Sequence, residues 1–178
     1  SIRCLSYTGF WLATHTSITI VLPVDSEYNL GWMRKFNELP QPKIQQNGRY
    51  DIAYFAMYNA PLHNYKFDTA NMMHSWYSEL PKDLGFLNSF FIRESMYWKD
   101  LSETNDLYEY YRYNALDTWG TGNCFFAMIQ EAPQWAINNY IKSLGMSKEK
   151  TQQTIQKVSD RLMNYNPQAK RKTGSKTP

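Results

Sequence analysis

Residues 18–51 decide the fold class, and they read ITIVLPVDSEYNLGWMRKFNELPQPKIQQNGRYD. The stretch opens with an apolar, β-branched run over 18–22, which is typical of a strand. A segment with helical spacing follows over 29–39, and its apolar residues are Leu30, Met33 and Phe36. A short second strand over 43–46 comes after this helix. The order strand, helix, strand predicts an α/β or α+β domain.

The rest of the chain continues this alternation. Residues 2–7 predict a strand beside the one at 18–22, and Asp68-Thr69 predicts the N-cap of a helix. Gly120 and Gly122 interrupt the longest helical segment, and each weakens it by up to about 1 kcal/mol relative to Ala. By the same spacing argument, helices are expected over 52–59, 70–79, 83–91, 103–131, 134–144 and 147–165.

The length of the chain suits one globular domain with an appendage. It has 178 residues, of which 43% are hydrophobic and 20% are charged, so overall disorder is excluded. We expect an α/β domain over 1–132 and, over 133–178, a helical linker that ends in a basic tail. Aromatic residues make up 16% of the chain, which suits either a core of large side chains or a surface that stacks bases.

The net charge of +3 is concentrated at the C-terminus. Four of the 19 Lys and Arg residues lie in 167–178, which contains no acid, whereas the 16 acids nearly neutralise the rest of the chain. This composition predicts a solvated tail, with a nucleic-acid contact as the alternative.

The cysteines and the apolar pattern predict an intracellular, non-secreted protein. Cys4 and Cys124 form no metal-type cluster and no disulfide framework, which favours a reducing compartment. The first residues carry no secretion signal. No apolar run reaches about 18 residues, so we expect no membrane partner.

Two short motifs carry carboxylates suited to metal-assisted chemistry. Asn47-Gly48-Arg49-Tyr50-Asp51 lies where the predicted strand at 43–46 passes into a helix, so Asp51 can project from the sheet edge. Tyr113 and Asp117 are four residues apart, so on a helix both side chains point from one face. Mg²⁺ and Mn²⁺ prefer carboxylate ligands, and two such ions can stabilise both oxygens of a phosphodiester displacement. Read separately, the motifs also fit a helix cap and a solvated helix face.

Taken in order, the motifs support a family resemblance over about residues 2–140. Gln46 to Asp51 and Tyr113 to Asp117, continued by Thr118, resemble the second and third motifs of the 3′–5′ proofreading exonuclease domain of family A DNA polymerases. This is the DEDDy group, with a ribonuclease H-like mixed sheet flanked by helices. A run familiar from phage-type members lies between the motifs and comprises Phe67-Asp68-Thr69, His74, Glu79-Leu80-Pro81-Lys82 and Leu84.

The resemblance implies a two-metal active site that removes 3′-terminal nucleotides from single-stranded DNA. It implies that Asp51 binds one Mg²⁺ or Mn²⁺, that Asp117 binds the other and that Tyr113 positions the nucleophile. Asn47 would hold local structure or the substrate strand. The implied partners are the 3′ end of single-stranded DNA and the remainder of a polymerase chain, in the cytoplasm of a bacterium or a phage-infected cell.

The stretch before the third motif adds two candidate nucleic-acid contacts. Tyr97-Trp98-Lys99-Asp100 resembles the corresponding stretch of the family, so Trp98 and Lys99 are candidates for contacting a base or a phosphate. Packing in the core is the other role for Trp98.

The sequence departs from the family at the first motif, an Asp-x-Glu on the opening strand. In the register that fits best, residues 2–7 and 18–23 resemble the second and third strands. The first strand and its two acids would then precede Ser1. The two-metal site would be incomplete, and we expect little or no nuclease activity from this chain by itself.

A second register remains open, in which Asp25-Ser26-Glu27 is the first motif and Asn64 to Asp68 is the second. It loses the family's spacing between Asp51 and Phe67-Asp68-Thr69. In the preferred register, Asp25 and Glu27 lie in the loop before the first helix, and Asp68 is a helix cap.

Three functions follow from these observations. The first is the proofreading exonuclease part of a DNA polymerase. The second is a non-catalytic exonuclease-like module that holds single-stranded nucleic acid or supports a polymerase domain, and the absent Asp-x-Glu favours it for this chain. The third is an RNA-processing exonuclease of the same fold, which the polymerase-like run from Asp68 to Lys82 disfavours.

Overall fold

A computed structural model describes most of the first 131 residues. The described ranges are 3–11, 14, 16–93, 98, 100–101 and 104–131, with single positions further along the chain. Lys99 and nearly all of the predicted appendage over 133–178 lie outside the described residues, so these predictions stay predictions.

The two predicted N-terminal strands form an antiparallel pair. Strand β1 (Cys4–Trp11) pairs with β2 (Thr16–Pro23), with Cys4 opposite Pro23 and Trp11 opposite Thr16. The β-branched residues of β2 favour this extended conformation, which confirms both strands.

A second pair of strands lies further along the chain. Strand β3 (Lys43–Gln45) runs parallel to β4 (Tyr65–Asp68), and helices follow each of them. In the described residues the strands form two separate sheets, β1 with β2 and β3 with β4, so the predicted ribonuclease H-like mixed sheet stays a prediction. Strand β4 was not expected, since four residues with two polar side chains give little strand signal.

Five helices complete the described fold, which is therefore mixed α/β. Ser26, Asp68 and Asp83 each accept a backbone hydrogen bond as N-caps, which confirms Asp68 as a cap. The helices are α1 (Glu27–Glu38), α2 (Arg49–Met57), α3 (Thr69–Trp76), α4 (Leu84–Phe91) and α5 (Leu107–Glu131). None of them is both long and apolar enough to cross a bilayer.

The strand pair β1–β2 lies between two layers of helices. On one face of β1, the Ser6 hydroxyl donates to the backbone carbonyl of Asn114 in α5 at 2.9 Å. On the other face, the Tyr7 hydroxyl donates to Asn37 Oδ1 in α1 at 2.9 Å. This alternation follows from the two-residue period of a strand.

Two apolar clusters hold the layers together. The larger one joins β4, α3, α4 and α5, and the smaller one, formed by Met33, Phe55 and Ala60, joins α1 to α2. Burial of these side chains supplies the main driving force for folding. The larger cluster contains Phe67, Met72, Met73, Leu87, Phe91, Cys124, Phe125, Met128 and Ile129.

The glycines of α5 serve close packing, and the helix is continuous through them. A Cβ at Gly122 would lie 2.1 Å from Phe10 Cε2 on β1, and one at Gly120 would lie 2.9 Å from the Trp98 ring. The expected weakness of the helix is thus offset by tertiary contacts that only glycine permits.

We predict that Gly122→Ala destabilises the protein by about 1–3 kcal/mol, because the methyl group would displace Phe10. Helix propensity alone predicts the opposite sign, a gain of roughly 1 kcal/mol. Gly31→Ala in α1 is the matched control, since no atom lies within 4 Å of its Cβ position. Urea unfolding measures both, and a stabilising Gly122→Ala would contradict the close approach.

Candidate functional site

The turn between β3 and α2 places Asp51. Asn47 has a φ of 53°, in the left-handed region that Asn tolerates better than most residues. Gly48 is the buried N-cap of α2, and a Cβ there would lie 2.9 Å from Gln45 Cβ. The backbone therefore passes close to β3 before it enters the helix. Asp51 lies in the first turn of that helix.

The carboxylate of Asp68 holds this turn from the neighbouring strand. Its Oδ1 accepts from the amide of Asn47 at 3.1 Å, and its Oδ2 accepts from the amide of Gly48 at 2.8 Å. The Tyr65 hydroxyl donates to Oδ2 at 2.7 Å. Two amides at the start of α3 donate to Oδ1 at 2.9 and 3.2 Å. These donors satisfy a carboxylate that is only 2% exposed.

Gln46, at the start of the second motif, is held by two further segments. Its Nε2 donates to the backbone carbonyl of Lys82 at 2.6 Å. Its Oε1 accepts from the Thr69 hydroxyl, which also contacts the carbonyl of Gln45 at 3.3 Å. The residues that resemble the phage-type run thus contact the second motif directly.

Asp51 lies in an environment that disfavours its charge. Burial, and then the nearby Asp68 carboxylate, raise the pKa of Asp51 from 3.8 to about 6. Tyr7 is a further neighbour, because burial and then the Asp51 charge raise the pKa of the Tyr7 phenol. Asn37 accepts from the Tyr7 hydroxyl and donates to the carbonyl of Ala60 at 2.7 Å, which fixes the phenol.

Asp117 lies on α5 between two donors. The Tyr113 hydroxyl hydrogen bonds to the Asp117 carboxylate, and the pKa of Tyr113 is raised, first by burial and then by the Asp117 charge. The indole Nε1 of Trp98 donates to Asp117 Oδ1 at 2.8 Å. The prediction that Tyr113 and Asp117 share one helix face is confirmed.

The structure favours the packing role for Trp98. Its side chain is 6% exposed, so the ring faces are covered and give a base no surface to stack on. The hydrogen bond to Asp117 gives Trp98 a second role, because it orients the carboxylate that the sequence predicts to be a metal ligand. Lys99, the other candidate nucleic-acid contact, lies outside the described residues.

The predicted residues therefore form two local groups. Asp51 is grouped with Asp68 and Tyr7, while Asp117 is grouped with Tyr113 and Trp98. Helix α5 contacts both β1, which carries Tyr7, and β3, which precedes the turn to Asp51. One helix therefore packs against both strands that position the first group.

Asp25 and Glu27 have local roles at the N-terminus of α1. Asp25 Oδ1 accepts from Asn29 Nδ2 at 2.8 Å, and Glu27 forms an ion pair with Arg34. Both acids are exposed. The preferred register predicted both acids in the loop before the first helix; Asp25 lies there, whereas Glu27 is the first residue of α1.

The carboxylates match a hard cation in type. A divalent cation bound here would favour the charged form of Asp51 and so offset the cost of burying that charge near Asp68. However, no group of three or more His, Cys, Asp or Glu side chains that could hold a metal ion occurs among the described residues. Mg²⁺ needs several well-placed oxygens, so Asp51 and Asp117 would need further ligands.

Sequence reasoning missed Tyr7 and the second role of Asp68. Tyr7 had been assigned only to a strand, and the alternation of that strand was the one signal that it faces α1. The Asp68-Thr69 pair gave a clear cap signal. Nothing local to it indicated that the same carboxylate binds amides about 20 residues earlier.

No protein-family model, no curated protein and no solved structure matches this chain.

We predict that Asp51→Asn stabilises the protein above pH 6. The folded state keeps the Asp51 proton between about pH 4 and 6, where the unfolded chain loses it, so stability falls as the pH rises through this window. The substitution removes this penalty, for an expected gain of about 1–3 kcal/mol at pH 7.5 and about none at pH 4.

Urea unfolding at the two pH values measures this effect. Asp25→Asn is the control, since this exposed side chain is expected to change stability by less than about 0.5 kcal/mol at either pH. Destabilisation by Asp51→Asn at pH 7.5 would contradict the assigned environment.

We predict that Trp98→Phe costs about 1.5–3 kcal/mol, because it removes a hydrogen bond to a charged group. Trp76→Phe is the control, since the Trp76 Nε1 is buried with no hydrogen-bond partner among the described residues. Thermal unfolding compares the two. An equal loss in both variants would assign the effect to ring volume instead of the bond to Asp117.

Proposed function

We propose that this chain is part of a 3′–5′ exonuclease domain with a ribonuclease H-like fold, in a DNA polymerase. The proposed reaction is the hydrolysis of the 3′-terminal phosphodiester of single-stranded DNA. The supporting observation is that Asp51 lies partly buried near the Asp68 carboxylate, with its pKa raised to about 6. Perturbed carboxylates of this kind are concentrated at functional sites.

The residues of the second group support the same chemistry. Tyr113 carries a neutral phenol, held by its hydrogen bond to Asp117, which is suited to orient a water molecule. Trp98 donates to Oδ1 of Asp117 and so helps to orient this carboxylate. Asp51 and Asp117 would each hold one Mg²⁺ or Mn²⁺, and the ions, when bound, would activate the water and stabilise the leaving oxygen.

The arrangement of the strands supports an additional first strand. Among the described residues, β1 bonds only to β2 and β3 only to β4, while α5 packs against both pairs. In the proposed fold, a strand between β1 and β3 would join the two pairs into one sheet. It would also supply the Asp-x-Glu carboxylates beside Asp51.

A non-catalytic exonuclease-like module is the second candidate. It is favoured by the lack of any three metal-ligating side chains close together in the described part of the chain. Such a module would bind single-stranded nucleic acid, or support a polymerase domain, without cutting.

The test measures trimming of 5′-labelled single-stranded DNA with Mg²⁺ or Mn²⁺. We expect little trimming by this chain alone, because in the preferred register it holds no Asp-x-Glu acid that both ions could share. We expect stepwise 3′-end trimming by an extended chain, in which a first strand carrying Asp-x-Glu is supplied ahead of Ser1. Asp51→Asn and Asp117→Asn should each lower that trimming by at least about 100-fold, since each removes a metal ligand.

Two exposed acids provide the controls. Asp25→Asn and Glu27→Gln should leave trimming unchanged, and a loss there would favour the register that uses them. Robust trimming by the present chain would overturn the preferred register. Tight binding of DNA by the extended chain without any trimming would favour the non-catalytic module.

A further inference from the structure

The turn that precedes Asp51 is held by contacts from outside its own segment. Asn47 adopts a left-handed backbone conformation, which costs free energy unless other contacts compensate for it. Its amide and that of Gly48 both donate to the Asp68 carboxylate. Gly48 has no side chain with which to cap α2, so the start of this helix depends on its surroundings.

Asp68 does more than a helix cap needs. An N-cap needs one oxygen that accepts from the first amides of the helix, and Oδ1 fills that role for α3. The second oxygen accepts from Gly48 and Tyr65, both outside α3. By comparison, the described bond of the Asp83 cap of α4 stays within its own helix, at 2.8 Å to the amide of Phe86.

We propose that Asp68 is a positioning residue for Asp51, because its carboxylate fixes the Asn47–Gly48 turn from which α2 presents Asp51. This inference rests on the proposed function for its catalytic consequence. The structural part, that Asp68 determines the conformation of the turn, can be tested separately.

The geometry explains why a carboxylate is required at this position. The amide of Asn47 donates to Oδ1 of Asp68 at 3.1 Å, and the amide of Gly48 donates to Oδ2 at 2.8 Å. An asparagine has one acceptor oxygen and therefore cannot serve both sides. A serine can cap a helix, but its side chain is shorter and carries a single oxygen, so it has no second acceptor atom. Charge-assisted bonds are also stronger than neutral ones.

The experiment uses Asp68→Asn and Asp68→Ser, because both residues remain good N-caps for α3. Asp83→Asn and Asp83→Ser are the matched controls at α4. The first readout is the amide NMR spectrum of this chain, in which the Asn47 and Gly48 signals should shift in both Asp68 variants and in neither Asp83 variant. Unchanged signals would overturn the inference, whatever the function of the protein.

The second readout is trimming of single-stranded DNA by the extended chain. We expect kcat to fall about 10-fold to 100-fold in the Asp68 variants, in the range typical of residues that orient metal ligands, with KM for DNA unchanged. The Asp83 variants should keep both constants. A purely structural cap would give equal thermal destabilisation at positions 68 and 83 and no selective change in kcat.

The two readouts separate failure of this inference from failure of the proposed function. If the extended chain never trims DNA but the amide signals shift in the Asp68 variants, the structural role of Asp68 stands. Only its catalytic role is then overturned. Trimming that is lost in Asp51→Asn but kept in both Asp68 variants would overturn the positioning role and leave the exonuclease in place. If neither variant can be purified folded, Tyr65→Phe tests the same oxygen by removing a single donor, and an unchanged Gly48 signal would count against the inference.

Discussion

Helix α5 packs against both pairs of strands, and the relative position of everything else depends on this contact. It lies against β1 and β2 and also against β3, while no described strand hydrogen bond joins the two pairs. The approach is close enough that Gly122 has no room for a Cβ beside Phe10. Because Asp117 lies on the same helix, the packing that builds the core also determines where this carboxylate stands.

Asp68, Asp117 and Asp51 differ in how far neighbouring groups stabilise the charge of the carboxylate. Asp68 is buried but surrounded by amide and hydroxyl donors, which compensate for its lost hydration. Asp117 receives two aromatic donors, from Tyr113 and Trp98. Asp51 is the acid whose pKa is raised, because it is partly buried and feels the charge of the Asp68 carboxylate. A fold that retains such an acid gains no stability from its charge at neutral pH, which fits a functional role.

Much of the local structure could be predicted from the sequence. The β-branched run of β2, the spacing in α1 and the Asp68 cap each depend on neighbours within a few residues, and the structure confirms them. The ends of helices were less accurate. For example, α3 stops at Trp76, short of the predicted Glu79, and α2 begins at Arg49 without a side-chain cap. Strand β4 was missed because four residues carry too little pattern.

By itself, the sequence determined the order of the elements apart from β4, the shared helix face of Tyr113 and Asp117, and the cap at Asp68. These follow from local periodicity and from the preference of Asp for N-cap positions. Only the tertiary structure decided that Trp98 is buried against Asp117, that Tyr7 lies near Asp51, and that α5 needs its glycines. Each of these depends on contacts between residues far apart in the chain, and such contacts leave no periodic signal in the sequence.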